Sequence, residues 1–320
     1  MRRYSLIFLT LCALSAAGLE LAARYWLPRV GTMRPRLDRE HARADRIRPV
    51  PGEPVPVLGI GNSLMQKGVN FRLLNENLHP EYDVTRFVVE DTNYLDWYYG
   101  LRRLFREGAR PKVVILVLNV RQLLAGNVEG DRFADLLLDS HDLLDVKRNI
   151  GSDNTVTSNL LAANLSRFYA VRSDLHKWIL VRLMPDFPQM AARLRPPPPP
   201  FPTDEEIEKE AGERLQRISN LCAQYGAQFI FVMPPTAHEG SVAIERAGAR
   251  TGISVLVPIP QELPRDLYSD GFHLNYRGAL LFTQALSSSL RQALRKDNTV
   301  QSAETSAAAG GSVVSLSATQ

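Results

Sequence analysis

The stretch VVILVL at residues 113–118 is an unbroken apolar run that is rich in β-branched side chains. A strand buried on both faces has this pattern, because neither face alternates with polar positions. Five such runs predict five strands, at residues 55–60, 84–89, 113–118, 229–233 and 253–257. Helical patterns separate them, near residues 66–78, 94–107, 205–225, 239–251 and 276–294. Strands that alternate with helices predict an α/β protein with a doubly wound parallel sheet.

The remaining segments divide the chain around this domain, which we place at residues 53–296. Residues 125–204 interrupt the alternation of strands and helices, and their pattern predicts a helical insertion. The insertion ends in a proline run, which we interpret as a stiff connector rather than a polyproline ligand. Residues 28–52 are rich in Arg and Pro and lack periodicity, which predicts a tether. Residues 297–320 are rich in Ser, Ala, Gly and Thr, which predicts a disordered tail.

The positive charge of the chain is concentrated at one end. The 320 residues carry a net charge of +4, and residues 1–50 contain ten arginines, no lysine and four acidic residues. That segment therefore carries +6, and residues 51–320 carry −2. A mildly acidic body argues against a nucleic-acid surface. The two cysteines, Cys12 and Cys222, cannot form a disulfide framework, and no clustered Cys and His spacing indicates a metal site.

Residues 1–27 have the features of a membrane-targeting segment. Two arginines precede sixteen uncharged residues, 4–19, which are fewer than the roughly 20 that span a bilayer. Extension through Glu20 to Trp26 reaches that length, so we expect an uncleaved anchor with an extracytoplasmic body. The alternative is a secretory signal cleaved near Ala17. The arginines that follow the apolar run outnumber those before it, which by the positive-inside rule favours a cytoplasmic body instead.

Two short motifs lie at opposite ends of the predicted domain. Gly61-Asn62-Ser63-Leu64 follows the first strand, where a hydroxyl is presented at a helix start. Asp270-Gly271-Phe272-His273 precedes the last helix, and its Asp can orient one imidazole nitrogen while the other accepts a proton. A serine becomes a nucleophile when such a base removes its proton. Each motif has an ordinary alternative, since Ser63 can simply cap a helix and His273 can be a packing residue.

Both motifs resemble those of the SGNH (GDSL-like) hydrolase superfamily, over roughly residues 53–295 without the 125–204 insertion. The resemblance implies a flavodoxin-like five-stranded sheet, with Ser63 as nucleophile, His273 as base and Asp270 as its orienting partner. The family usually has a Gly after the second strand and Gly-x-Asn-Asp after the third, where backbone and Asn N–H groups hold the oxyanion. This chain has Glu90-Asp91-Thr92-Asn93 and Leu118-Asn119-Val120-Arg121 there. Thr92, Asn93 and Asn119 are therefore the candidate oxyanion donors. In these departures the chain resembles the membrane-anchored, polysaccharide-modifying branches of the superfamily.

These observations lead to a serine esterase or O-acyltransferase hypothesis. The expected substrate is a small acyl ester or an ester-bearing glycan at the cell surface, and no metal or organic cofactor is needed. His238 and Arg121 follow strands at the same rim and are candidate substrate contacts, although solvated loop side chains are the alternative. The competing hypothesis is a catalytically inactive protein of the same fold, which serves as a carbohydrate-binding or assembly subunit at the membrane.

Overall fold

The computed structural model describes residues 2–25, 33–187, 189–190, 194, 200–235 and 240–310. Five strands form one parallel sheet in the order β2-β1-β3-β4-β5. The strands are β1 Val55–Gly61, β2 Tyr82–Val88, β3 Val113–Val117, β4 Gln228–Val232 and β5 Ser254–Leu256. The predicted α/β doubly wound sheet is confirmed, and its strand order is that of flavodoxin-like folds.

Helices cover both faces of the sheet. Their bounds are α1 Arg2–Tyr25, α2 Met33–Ala44, α3 Ser63–Gly68, α4 Phe71–Leu78, α5 Tyr94–Glu107, α6 Val120–Leu124, α7 Gly130–Arg132, α8 Leu143–Ile150, α9 Asn154–Leu165, α10 Arg167–Leu183, α11 Asp204–Gln224, α12 Ser241–Thr251 and α13 Tyr276–Gly310. A π-helical turn spans Phe133–Leu137, and 3-10 turns span Ser140–Asp142 and Arg265–Leu267. The helix predicted over 66–78 is two helices, because Asn70 caps a new one by accepting from the Leu73 N–H.

Alternate residues of each strand enter two separate cores. Leu58 and Ile60 of β1 pack with Phe231 of β4 on the face covered by α5, α11 and α12. Val57 of β1 and Ile230 of β4 pack on the other face, against α3, α4 and α13. Burial on both faces removes the usual alternation of polar and apolar side chains, which explains the unbroken apolar runs in the sequence.

The expectation of a tether over residues 28–52 is wrong for residues 33–44. Helix α2 buries Leu37, Glu40 and Ala44 against the body. Arg36 donates to both carboxylate oxygens of Glu90 at 2.6 and 2.7 Å, and the Glu40 carboxylate accepts from the Val88 N–H at 3.0 Å. Ion pairs to distant residues add to the burial of Leu37 and Ala44, and the charged Glu40 lies among the buried positions, so the sequence shows no clear apolar stripe.

The predicted disordered tail is also wrong in part. Helix α13 continues through Gly310, and four of residues 297–310 are alanine, the most favourable residue in a helix. Residues 311–320 lie outside the described residues, as does most of the predicted proline connector, Pro196 to Pro199. The described part of the insertion over 125–204 consists mainly of short helices joined by loops.

One described helix is long and apolar enough to cross a membrane. Its span is Arg3–Tyr25, with a mean hydropathy of 2.0, and most of it is exposed. A signal anchor and a signal peptide both have these properties, so the helix by itself does not separate the two.

Candidate active site

The motif at residues 61–64 and the motif at residues 270–273 meet at the carboxyl edge of the sheet. In that sheet β1 lies between β2 and β3, with Gly61 in register with both Val88 and Val117. The chain leaves β1 toward one side and β3 toward the other, which makes this edge the topological switch point of the sheet. Ligands bind at such a point in open α/β sheets. Ser63 and Asn119 each lie two residues beyond these paired strand ends.

The turn after β1 depends on a glycine and an asparagine. A Cβ atom on Gly61 would lie 2.7 Å from the carbonyl oxygen of Val117, so no larger residue fits without a shift. Asn62 is fully buried and caps α3, since its Oδ1 accepts from the Leu64 N–H at 3.0 Å. The alternative in which Ser63 is the cap is therefore wrong. Ser63 is the first residue of the helix, half-buried at its N-terminus.

The turn before α13 holds Asp270 against His273. One carboxylate oxygen of Asp270 accepts from the backbone N–H groups of Phe272 and His273, at 3.0 and 2.7 Å. The other oxygen lies 2.7 Å from Nδ1 of His273. Gly271 has a φ of 79°, in the left-handed region that this tight turn requires. The hydrogen bonds from the His273 backbone and ring, and from the Phe272 backbone, hold the pKa of Asp270 well below its ordinary value.

His273 connects the two turns. Its Nε2 lies 3.0 Å from Oγ of Ser63, across 210 residues of chain. An ionised Asp270 accepts a hydrogen bond from Nδ1–H, and in that tautomer the unprotonated Nε2 accepts from the Ser63 hydroxyl. The ring is 24% exposed and packs edge-on against Phe272, with 5.0 Å between ring centroids. This geometry allows the Ser63 proton to pass to His273.

The loop after β2 differs from the expectation for Asn93. Its backbone N–H donates to Asp96 at 2.7 Å in a capping box at the start of α5. That N–H is committed within the loop, so the expectation that it would face an oxyanion is wrong. Thr92 is buried, and its hydroxyl donates to the Val89 carbonyl and accepts from the Trp97 indole. The Thr92 carbonyl accepts from Nδ2 of Asn62 at 2.9 Å, which ties this loop to the Ser63 turn.

Asp91 occupies a backbone conformation that glycine adopts readily. Its φ is 65°, and among the described residues it is the one non-glycine with a positive φ. Asp and Asn tolerate this region better than other side chains do. Local sequence does not reveal this conformation, because Asp is compatible with ordinary turn geometry as well.

The other predicted contacts have different environments. Asn119 caps α6, accepting from the Gln122 N–H at 2.9 Å while the Gln122 side chain accepts from the Asn119 N–H at 3.0 Å. Arg121 is exposed, and its guanidinium lies 4.9 Å from the ring centre of Phe201. His238 lies outside the described residues. Across the described part of the chain, no group of three His, Cys, Asp or Glu side chains is arranged to hold a metal ion.

A buried carboxylate pair behind the loop was not identified from sequence. Asp96 accepts from the Glu129 N–H at 2.8 Å, and burial raises the pKa of both carboxyl groups to about 7. Arg132 lies between Asp91, Glu129 and Asp174, at 3.6 to 3.8 Å from each carboxylate. Acidic residues scattered over two helices and two loops carry no local sign of such a cluster, because tertiary packing assembles it.

No family model matches the chain, and no curated protein matches it. The solved structures to which the chain is similar include the psychrotrophic esterase EstA from Pseudoalteromonas sp., with 13% identity, a TM-score of 0.36, and coverage of 75% of this chain and 99% of that chain. A GDSL-like lipase from Bacteroides thetaiotaomicron has 12% identity and a TM-score of 0.40, with 82% and 98% covered. TesA has 12% identity and a TM-score of 0.38, with 74% and 98% covered. In strand order and in the positions of its Gly-Asn-Ser-Leu and Asp-Gly-Phe-His motifs, the chain resembles the SGNH hydrolase superfamily.

Proposed function

We propose that this protein is a serine esterase or O-acyltransferase that works through an acyl-enzyme on Ser63. The observation that carries the proposal is the continuous contact from Asp270 through His273 to the Ser63 hydroxyl, at 2.7 and 3.0 Å. An aligned carboxylate, imidazole and hydroxyl are the groups that acyl transfer by serine needs.

In the first half-reaction, Oγ of Ser63 attacks the ester carbonyl carbon while its proton passes to Nε2 of His273. The resulting oxyanion is held by the Ser63 backbone N–H, which lies at a helix start, and by an amide of the Asn119 side chain. Collapse of the tetrahedral intermediate breaks the bond to the alcohol oxygen, which takes the proton from His273 and leaves the acyl group on Ser63.

In the second half-reaction, water or a sugar hydroxyl attacks the acyl-enzyme and gives its proton to His273. The bond between the acyl carbon and Oγ of Ser63 then breaks, and His273 returns the proton to Oγ. Water as acceptor makes the protein an esterase, and a sugar hydroxyl makes it an O-acyltransferase. Asp270 stays ionised throughout and holds the imidazole in orientation, since hydrogen bonds keep its pKa low.

A fluorophosphonate probe tests the nucleophile, because it reacts with an activated serine. We expect labelling of the native chain and none of Ser63→Ala, with His273→Ala also losing most of it. Ser288→Ala is the matched control, since Ser288 is an exposed helical serine whose hydroxyl donates to its own helix at the Gln284 carbonyl. Labelling that persists in Ser63→Ala would place the reactive serine elsewhere.

The alternative function is a binding or assembly subunit of the same fold. The Asn93 N–H already donates to Asp96, so one of the expected oxyanion donors is lost. This loss favours the binding function. Removal of one such donor typically costs about 10² to 10³ in turnover. A folded, unlabelled native protein that binds polysaccharide supports this alternative.

We further propose an ester-bearing glycan outside the cytoplasm as the substrate, with α1 as the membrane anchor. A long helical insertion and an apolar N-terminal helix suit an enzyme that is held near surface polymers. Acyl release from acetylated polysaccharide is expected to exceed release from simple esters. Fast turnover of simple esters, unaffected by added polysaccharide, contradicts the glycan assignment. Protection of the body from protease added to intact cells contradicts the location.

A further inference from the structure

The candidate anchor is bonded directly to the helical insertion. The Glu20 carboxylate of α1 accepts from the hydroxyl of Ser166 at 2.8 Å and from the backbone N–H groups of Arg167 and Phe168, at 2.9 and 3.1 Å. These donors form the start of α10, where a helix leaves N–H groups without intrahelical partners. Ala23 of α1 is buried, as are Ala170 and Val171 of α10.

The start of α10 is in turn tied to the body. The Arg167 guanidinium pairs with Asp38 of α2 at 2.7 Å and with Asp135 of the insertion at 3.2 Å. Glu20 lies five residues before the end of α1, which is about 7 Å along a helix. When α1 crosses a bilayer, these bonds hold the start of α10 beside the last turns of the apolar span, at the level of the interface.

The second half of α10 and the residue after it expose large apolar side chains beside basic ones. Trp178 is 55% exposed and Leu183 is 75% exposed, and Ile179, Val181 and Met184 are exposed with them. Lys177 and Arg182 are exposed in the same turns, and the Arg182 guanidinium lies 5.3 Å from the Trp178 ring centre. Tryptophan with neighbouring Lys and Arg is the composition of segments that lie at the surface of a membrane.

We propose that residues 177–184 of the α10 region bind the surface of an anionic phospholipid bilayer, as a second membrane contact beside α1. The inference rests on the membrane anchoring proposed above. Bilayer lipid is the occupant favoured by the direct bonding of α10 to the anchor and by the basic residues among the apolar ones. Long basic side chains can bury their stems in the interface and keep their charges at the headgroups.

Helix α10, which carries this contact, is linked by ion pairs to the loop after β2. Asp174 of α10 is 3.8 Å from Arg132, and the same arginine is 3.7 Å from Asp91 in the loop beside the Ser63 turn. One arginine therefore bridges the membrane-bound helix and the loop that frames the site. Binding of α10 to lipid would fix the orientation of the site relative to the bilayer.

The fluorescence of Trp178 tests the proposal in the full-length chain. Vesicles contain phosphatidylglycerol and phosphatidylcholine with brominated acyl chains, and Trp26→Phe removes the tryptophan next to α1. Trp97 is fully buried and serves as an internal reference, while Trp178→Phe identifies the Trp178 signal. We expect Trp178 to be quenched by the brominated chains and shielded from aqueous iodide.

The variant Val181→Glu/Leu183→Glu is expected to lose most of the quenching by brominated lipid. Val242→Glu is the matched control, because Val242 is an exposed valine of α12, and we expect no change for it. The proposal is overturned if aqueous iodide still quenches the fluorescence of Trp178 when vesicles are present. Trp178 that is shielded from iodide but not quenched by the brominated chains also overturns it, in favour of a protein partner.

The outcomes separate this proposal from those on which it rests. Flotation of the chain with vesicles reports on the α1 anchor, and probe labelling reports on Ser63. A chain that floats and is labelled while Trp178 remains aqueous contradicts only the proposed contact of α10.

Discussion

At the scale of single residues, Asn62 has the most demanding position beside the candidate nucleophile. Its side chain caps α3 and also donates to the Thr92 carbonyl, so one amide joins the loops after β1 and β2. We expect Asn62→Ala to lose about 1 to 2 kcal/mol of unfolding free energy, the usual effect of a lost cap. We also expect slower fluorophosphonate labelling of Ser63, measured as a rate with native chain as reference.

Asn70→Ala is the matched control for this prediction. Asn70 caps α4 through the Leu73 N–H, so its loss has a similar effect on stability. It caps a different helix from the one that carries Ser63, and its labelling rate should stay near that of the native chain. Equal labelling rates in the two variants would show that the link from Asn62 to Thr92 does not position Ser63.

At the scale of elements, helix α2 is held to the sheet edge by charge. Glu40 is buried, accepts from the Val88 N–H, and pairs with Arg36 at 3.1 Å and Arg86 at 2.8 Å. Without Glu40 the Val88 N–H and Arg86 lose this acceptor and Arg36 keeps only Glu90, so Glu40→Ala should lose about 3 kcal/mol in urea unfolding. Glu76→Ala, from the exposed pair with Arg72, should lose less than about 1 kcal/mol. Equal small losses would mean that residues 33–44 behave as the tether their sequence suggests.

At the scale of the whole molecule, the carboxyl groups of Asp96 and Glu129 make stability depend on pH. Burial raises the pKa of both to about 7 in the folded chain, above the ordinary values of 3.8 and 4.5. Between those limits the folded state keeps protons that the unfolded state has lost. The contribution of these two groups to stability is therefore full below about pH 4 and is lost as the pH rises to about 7.

The variant Glu129→Gln should flatten this dependence. One pKa unit corresponds to 1.36 kcal/mol, so the difference in unfolding free energy between pH 5 and pH 8 should shrink by about 2 kcal/mol. Urea unfolding of the detergent-solubilised chain at the two pH values measures it, with the exposed Glu213→Gln as control. If the native chain and both variants lose the same unfolding free energy between pH 5 and pH 8, the raised pKa of Glu129 is not the cause of the loss.

Tyr94, Trp97 and Tyr99 of α5 are buried. Their large apolar rings are a local signal for burial, and they use two faces of the helix: Trp97 contacts Phe87 of β2, whereas Tyr99 contacts Phe133 of the insertion. The bond from Asn62 to Thr92 had no such signal, since it joins residues 30 positions apart through one amide. Helix α2 was missed for the same reason, because its partners Val88 and Glu90 lie in another element.

The sequence by itself determined the class of the fold, since apolar runs without alternation are compatible with few structures other than a covered parallel sheet. It also determined which residue types stand after β1 and before the last helix, namely Ser63, Asp270 and His273. Only the tertiary structure decided that these three side chains meet at 2.7 and 3.0 Å, and that the N–H of Asn93 is already taken. The physical reason is range: burial and periodicity act within an element, whereas the hydrogen bonds of the site join loops that are up to 210 residues apart.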